Sequence, residues 1–143
     1  MADIVLNTNA FRIFFDDAFL DKVVAKCDHI YVAKCSWEKE LVGVYVSLIQ
    51  TLYSSTRKLE KKNKFHEKNV GEIVLPGDLA KELEENGASL CDKKIATLAY
   101  DRRSRSGQSV WLISSDPHFQ NLRLSFERHG INIKHRQQFI SEY

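Results

Sequence analysis

Two prolines and six glycines in 143 residues leave little material for flexible linkers or strings of tight turns. No segment reads as low-complexity or as an internal repeat, so one domain over residues 1–143 is the expected organisation. The three cysteines, Cys27, Cys35 and Cys91, show no CxxC spacing. An odd, scattered set argues for reduced thiols in a cytoplasmic protein and against a zinc site. No apolar run approaches the roughly 20 residues that cross a bilayer, so no membrane partner is expected. The start MADIVLN lacks a basic segment followed by a long apolar one, so no signal peptide is expected either. A dominant charge of one sign is also missing: 21 Lys and Arg face 19 Asp and Glu. Overall charge therefore does not announce nucleic-acid binding, and only local clusters can carry that argument.

What is present is a pattern of short apolar runs alternating with helical spacing. Ile4-Val5-Leu6 reads as a strand buried on both faces. Residues 9–26 place Phe11, Phe14, Phe15, Ala18, Phe19 and Val23 at helical spacing. Residues 30–33 read as a second strand. From Ser36 to about residue 63, Trp37, Leu41, Val44, Tyr45, Leu48 and Leu52 form a helical stripe. Further helices are expected over 78–86, from Ser89 to about Arg103, and over 116–129, with strands at 109–113 and 131–133. Trp37 and Trp111 fall in these apolar patterns and read as packing. Strands alternating with helices imply a mainly parallel sheet covered on both faces. Chemistry in such sheets sits beyond the carboxyl ends of the strands. That rule points to Asn7 and to Ser114-Ser115-Asp116.

The acids near those positions have ordinary structural roles to fill. Asp116 before Pro117 is a standard helix start. Ser89-x-x-Asp92 resembles a capping box. Asp92 also leans toward the buried side of Ile95 and Ala96, where an acid needs a partner. Glu38 and Glu40 flank the stripe of Trp37 and Leu41, and either reaches inward over the strand ends. His118 follows the acid at 116, and a lone histidine there reads as incidental.

The order of these pieces carries more than any one of them. Asn7-Thr8-Asn9 follows the first strand and Glu40-Leu41 lies on an early helix. Asp92-Lys93-Lys94-Ile95-Ala96 opens a later helix, and Ser114-Ser115-Asp116-Pro117-His118-Phe119 follows a later strand. This arrangement, over nearly the whole chain, resembles the PIN-domain family of ribonucleases, which includes the VapC-type toxins of toxin–antitoxin pairs. The resemblance implies an α/β, PIN-like three-layer sandwich, with a central mainly parallel sheet of about 4–5 short strands and helices on both faces. It implies an endoribonuclease that uses Mg²⁺ or Mn²⁺, with Asn7, Glu40, Asp92 and Asp116 as the catalytic set. Asn7, Asp92 and Asp116 would be the metal ligands, and Thr8, Asn9, Ser115 and Glu38 would support them. Hard dications prefer oxygen donors, and the metal acidifies bound water and neutralises developing charge. The family carries Asp where this chain carries Asn7. An amide keeps one oxygen donor but loses the negative charge, so weakened metal binding and little cleavage are expected, whether the substitution is engineered or natural.

By the same resemblance, RNA is the substrate, and an antitoxin protein and a homodimer are the expected partners. Lys61, Lys62, Lys64, Arg102, Arg103 and Arg105 read either as solvated cations or as a phosphate-tracking rim at the mouth of the acidic site. Two rivals remain open. One is a PIN-like module that holds RNA or a protein without cutting. The other is a receiver- or flavodoxin-like signalling domain. The second requires an acid pair near the first strand and a late lysine after a strand; Asp3 precedes the strand rather than following it, and no such lysine is evident.

Overall fold

Branched aliphatics at successive positions suit a strand whose two faces are both covered. In the computed structural model, which describes residues 2–15, 21, 23, 25, 27–40 and 49–142 (backbone alone at 12–15, 39–40, 49–53, 140 and 142), Ala2–Leu6 is such a strand, β1. It pairs in parallel with β2 (Cys27–Ala33) on one side and with β4 (Val110–Ile113) on the other. β3 (Phe65–Lys68) extends the sheet beyond β2, and β5 (Ile131–Lys134) extends it beyond β4. The order is β3-β2-β1-β4-β5, all parallel.

Side chains alternate across this sheet and find apolar partners on both sides. Ile4, Leu6, Ile30, Val32 and Ile113 face one layer with Phe11, Trp37, Leu59 of helix α1 (Ile49–Lys61) and Phe139 of α6 (Arg136–Glu142). Trp37 packs there against Phe11 and Phe65, each ring pair 5.2 Å apart. Val5, Tyr31, Leu112 and Ile133 face the other layer. That layer holds α2 (Gly77–Glu85), α3 (Leu90–Ser106), α4 (Pro117–Gln120) and α5 (Arg123–Glu127). The architecture is thus an α/β three-layer arrangement around a parallel sheet, as the alternating pattern requires.

Several local expectations are revised. Residues 65–68 form a strand that the pattern did not indicate, and Arg136–Glu142 forms a further helix. The helix expected over 116–129 is two short ones, because Asn121 and Leu122 interrupt it. Residues 8–15 wind as a tight 3-10 turn, and Ser36–Glu40 as a single wide turn. Leu41, Val44, Tyr45 and Leu48, expected on the stripe that begins at Trp37, lie outside the described residues, as do Ala18 and Phe19.

The strand order places the site. The chain steps outward from β1 to β2 to β3, then crosses back to β4, so the direction reverses between β1 and β4. A crevice opens beyond the carboxyl ends at such a reversal. Leu6 is paired with Ile113, so the residues that leave there are Asn7 and Ser114.

A candidate metal centre at the strand ends

The polar tripeptide Asn7-Thr8-Asn9 ties three strand exits together. Thr8 N donates to Asn7 Oδ1 at 2.8 Å, which fixes the amide orientation and turns Nδ2 toward Ser114. Nδ2 donates to Ser114 Oγ at 3.0 Å. Thr8 Oγ1 and Ser36 Oγ lie 2.7 Å apart just beyond β2. Asn9 Oδ1 accepts from Ser115 N at 3.1 Å just beyond β4. Asn7, Thr8, Ser36 and Ser114 are all buried, so these bonds satisfy groups that water does not reach. The amide at position 7 therefore has a donor's role of its own.

Ser114 passes the network on. Its Oγ also accepts from Asp116 N at 3.0 Å, and its carbonyl accepts from Gln120 Nε2 at 2.7 Å. Asp116 caps α4 by accepting His118 N at 2.9 Å, with Pro117 in the first helical position. Asp92 completes a capping box with Ser89: Asp92 N donates to Ser89 Oγ at 3.1 Å, and Ser89 N to Asp92 Oδ2 at 3.2 Å. Both capping readings of these acids hold.

The same two carboxylates also converge. His118 Nδ1 lies 3.0 Å from Asp92 Oδ2 and 3.2 Å from Asp116 Oδ1. Ligand atoms of Asp92, Asp116 and His118 all fall within 4.8 Å of one another. Asp92 is buried, while Asp116 and His118 are half-exposed, so the cluster opens to solvent on one side. Two carboxylate oxygens and one imidazole nitrogen at this spacing are a suitable donor set for a divalent ion. With Nδ1 protonated, His118 instead donates to both acids and offsets their mutual repulsion. Sequence spacing gave no sign of this: His118 reads as incidental until Asp92, 26 positions away, is brought against it.

Other expected site residues stand apart. Asn7 reaches the cluster one step removed, through Ser114 and the Asp116 amide. Ser115 contributes its backbone N–H and is exposed. Glu38 is exposed, 3.8 Å from Lys34, and is no member of the cluster. It sits instead toward β3, where burial and then repulsion from Glu38 raise the Glu67 carboxyl. The side chain of Glu40, and Leu41, lie outside the described residues.

The basic residues do not rim this site. Lys62, Lys64 and Arg102 line a cavity of about 530 Å³ with Asp3, Asp28 and His29. Asp3 and Cys27–His29 belong to the starts of β1 and β2, so this cavity lies at the opposite end of the sheet from Asp116. Arg102 lies 4.4 Å over the Tyr31 ring and 3.8 Å from Asp3, and Lys64 donates to the Cys27 carbonyl at 2.8 Å. Arg103 packs against Gly130, where an added Cβ would overlap its guanidinium. Arg105 is held by Asp101 at 3.0 Å, and Lys61 is exposed at the end of α1. A larger cavity, about 610 Å³, lies along α3 beside Val70, Val74, Thr97 and Arg105, and it contains none of the clustered acids.

The cysteines also differ from expectation. Cys35 and Cys91 form a disulfide, with Cα atoms 5.9 Å apart, and Cys27 alone is free. Among the described residues, no helix is long and apolar enough to cross a membrane. Comparison with family models, with curated proteins and with solved structures finds no match for this chain.

Proposed function

We propose that this chain is a metal-dependent endoribonuclease, of the PIN-like kind its motifs resemble, with cleavage attenuated by Asn7. The observation that carries the reading is the convergence of Asp92, Asp116 and His118 at the reversal of strand order. A bound Mg²⁺ or Mn²⁺ would supply an acidified water and charge neutralisation at the scissile phosphate. Asp92 and Asp116 would hold the ion through carboxylate oxygens. His118 would contribute Nδ1 as a nitrogen donor beside them. Ser114 holds the Asp116 backbone in place, and Thr8 with Ser36 keeps the exit of β2 close. RNA as substrate, an antitoxin partner and a homodimer follow from the motif resemblance alone.

Substituting Asn7→Asp tests this directly. It adds a third negative charge beside Ser114 and should raise both Mn²⁺ affinity, read by calorimetry, and cleavage of a labelled single-stranded RNA. Asp116→Asn in the same background should abolish both gains. An Asn7→Asp protein that binds Mn²⁺ but leaves RNA intact would overturn the nuclease assignment. That outcome, with RNA still bound, favours the second reading, a PIN-like module that binds RNA or protein without cutting. The engagement of Asn7 as a hydrogen-bond donor to Ser114 supports that alternative.

A further inference from the structure

The disulfide touches the site from both sides. Cys35 lies just beyond β2, and Cys91 is the second residue of α3. Each is the chain neighbour of a residue in the strand-end network: Ser36 meets Thr8, and Asp92 meets His118. The bridge therefore spans from the exit of β2 to the helical turn that carries Asp92. At that turn Leu90 is 62% exposed, while Ala88 before it and Ile95 and Ala96 after it pack into the core, so the bridge is the turn's one covalent tie to β2. Both bridged cysteines are half-buried at the edge of the core. The third, Cys27, is buried, and burial pushes its thiol up to about 12. It stays protonated and takes no part in exchange, so a redox response belongs to the 35–91 pair.

We propose that the Cys35–Cys91 pair is a redox-responsive clamp that sets the position of Asp92 and, through it, the metal affinity of the strand-end site. The second half rests on the metal-site reading above. A dithiol supplies both electrons for reduction. One thiolate attacks the Sγ–Sγ bond, the mixed disulfide resolves as the dithiol closes on itself, and two electrons and two protons leave Cys35 and Cys91 as thiols. Oxidised, the bridge holds the first turn of α3 against the β2 exit, with Asp92 beside Asp116 and His118. Reduced, that turn keeps its capping box but loses its covalent tie, so Asp92 samples positions away from the pair.

The test compares oxidised protein, protein reduced with dithiothreitol and freed of reductant under argon, and the double variant C35S/C91S. Thiol titration of the unfolded chain should find only Cys27 after equilibration with glutathione disulfide, and all three cysteines after reduction. Hydrogen exchange at the Asp92 amide, which bonds Ser89 Oγ, is a readout independent of metal. It should quicken about tenfold without the bridge. Mn²⁺ affinity by calorimetry should fall about tenfold in step. Three titratable thiols after oxidation, unchanged exchange at Asp92, or faster exchange with unchanged Mn²⁺ affinity would each overturn the clamp. Faster exchange with no Mn²⁺ bound by either form would instead overturn the metal reading and leave the conformational clamp standing. Agreement between the reduced wild type and the variant excludes a folding defect of the variant as the cause.

Discussion

Asn7 shows how a side chain at a candidate site can serve the fold first. Its oxygen accepts from Thr8 and its amide nitrogen donates to Ser114. Ser114 Oγ accepts twice, from Asn7 and from Asp116 N, and so has its own proton left to donate. An Asp at position 7 needs only that hydroxyl to turn and donate, which is why Asn7→Asp should fold normally. A second residue-scale consequence lies at the far end of the molecule. His66 Nε2 is 2.9 Å from His29 Nδ1, and its ring stacks on Tyr31 with centroids 4.9 Å apart. Burial, then the neighbouring His29, Lys68 and Arg102, lower its pKa below the ordinary histidine value. The folded chain thus takes up this proton later than the unfolded chain does. Stability from this group is intact above pH of about 6.5, and it falls as the pH drops through that value toward the folded pKa. Thermal melts between pH 7.5 and 5 should show a shallower decline for His66→Gln than for the wild type. Parallel slopes would mean that the His29–His66 pair does not govern acid sensitivity.

At the scale of elements, α3 is the piece on which site and fold meet. Its start is a complete capping box and its end is Gly107 in the left-handed region, at φ 68°. Replacing Ser89 by Ala removes the acceptor for Asp92 N and should cost about 1 kcal/mol, lowering the melting temperature by about 3 °C. Because the same box orients the Asp92 carboxylate toward His118, Ser89→Ala should also weaken Mn²⁺ binding. A variant with the stability loss alone would show that His118 suffices to place Asp92. Much of this was legible in the sequence. β1 and β4 are largely apolar runs, β2 carries Ile30-Tyr31-Val32-Ala33, and β5 carries Ile131 and Ile133, while both capping motifs are local patterns that the chain realises locally. β3 was not legible, because of Phe65, His66, Glu67 and Lys68 only Phe65 is buried, whereas β5, the other edge, buries both Ile131 and Ile133. The break at Asn121–Leu122 was hidden because Phe119, Leu122 and Phe126 keep helical spacing across it and are all buried. His118 and the Cys35–Cys91 pair depend on the tertiary approach of distant segments, and no local pattern encodes that approach.

At the scale of the whole molecule, the two ends of the sheet carry different clusters. Asp92, Asp116 and His118 gather where β4 leaves the sheet, and Lys62, Lys64 and Arg102 gather with Asp3, Asp28 and His29 where β1 and β2 begin. Removing Lys62, Lys64 and Arg102 should therefore leave metal binding at the acids intact. The covalent link is the other global feature. Cys35 and Cys91 are 56 residues apart, and the span they enclose includes α1, β3 and α2. Closing a loop of that length restricts the unfolded chain, a chain-entropy gain of about 4 kcal/mol if no strain opposes it. Against a typical domain stability of about 5–15 kcal/mol, that is a substantial fraction. Most measured bridges deliver about 2–4 kcal/mol, so reduction should lower the melting temperature by roughly 10 °C while leaving a folded domain at room temperature. Differential scanning calorimetry of the oxidised and reduced protein measures this shift. The C35S/C91S variant should reproduce the lower value and should not respond to reductant, because Cys27 is buried and forms no bridge. A melting temperature that ignores both reductant and substitution would mean that the unfolded chain is not restricted by the bridge, and that the two sulfurs sit side by side without a bond.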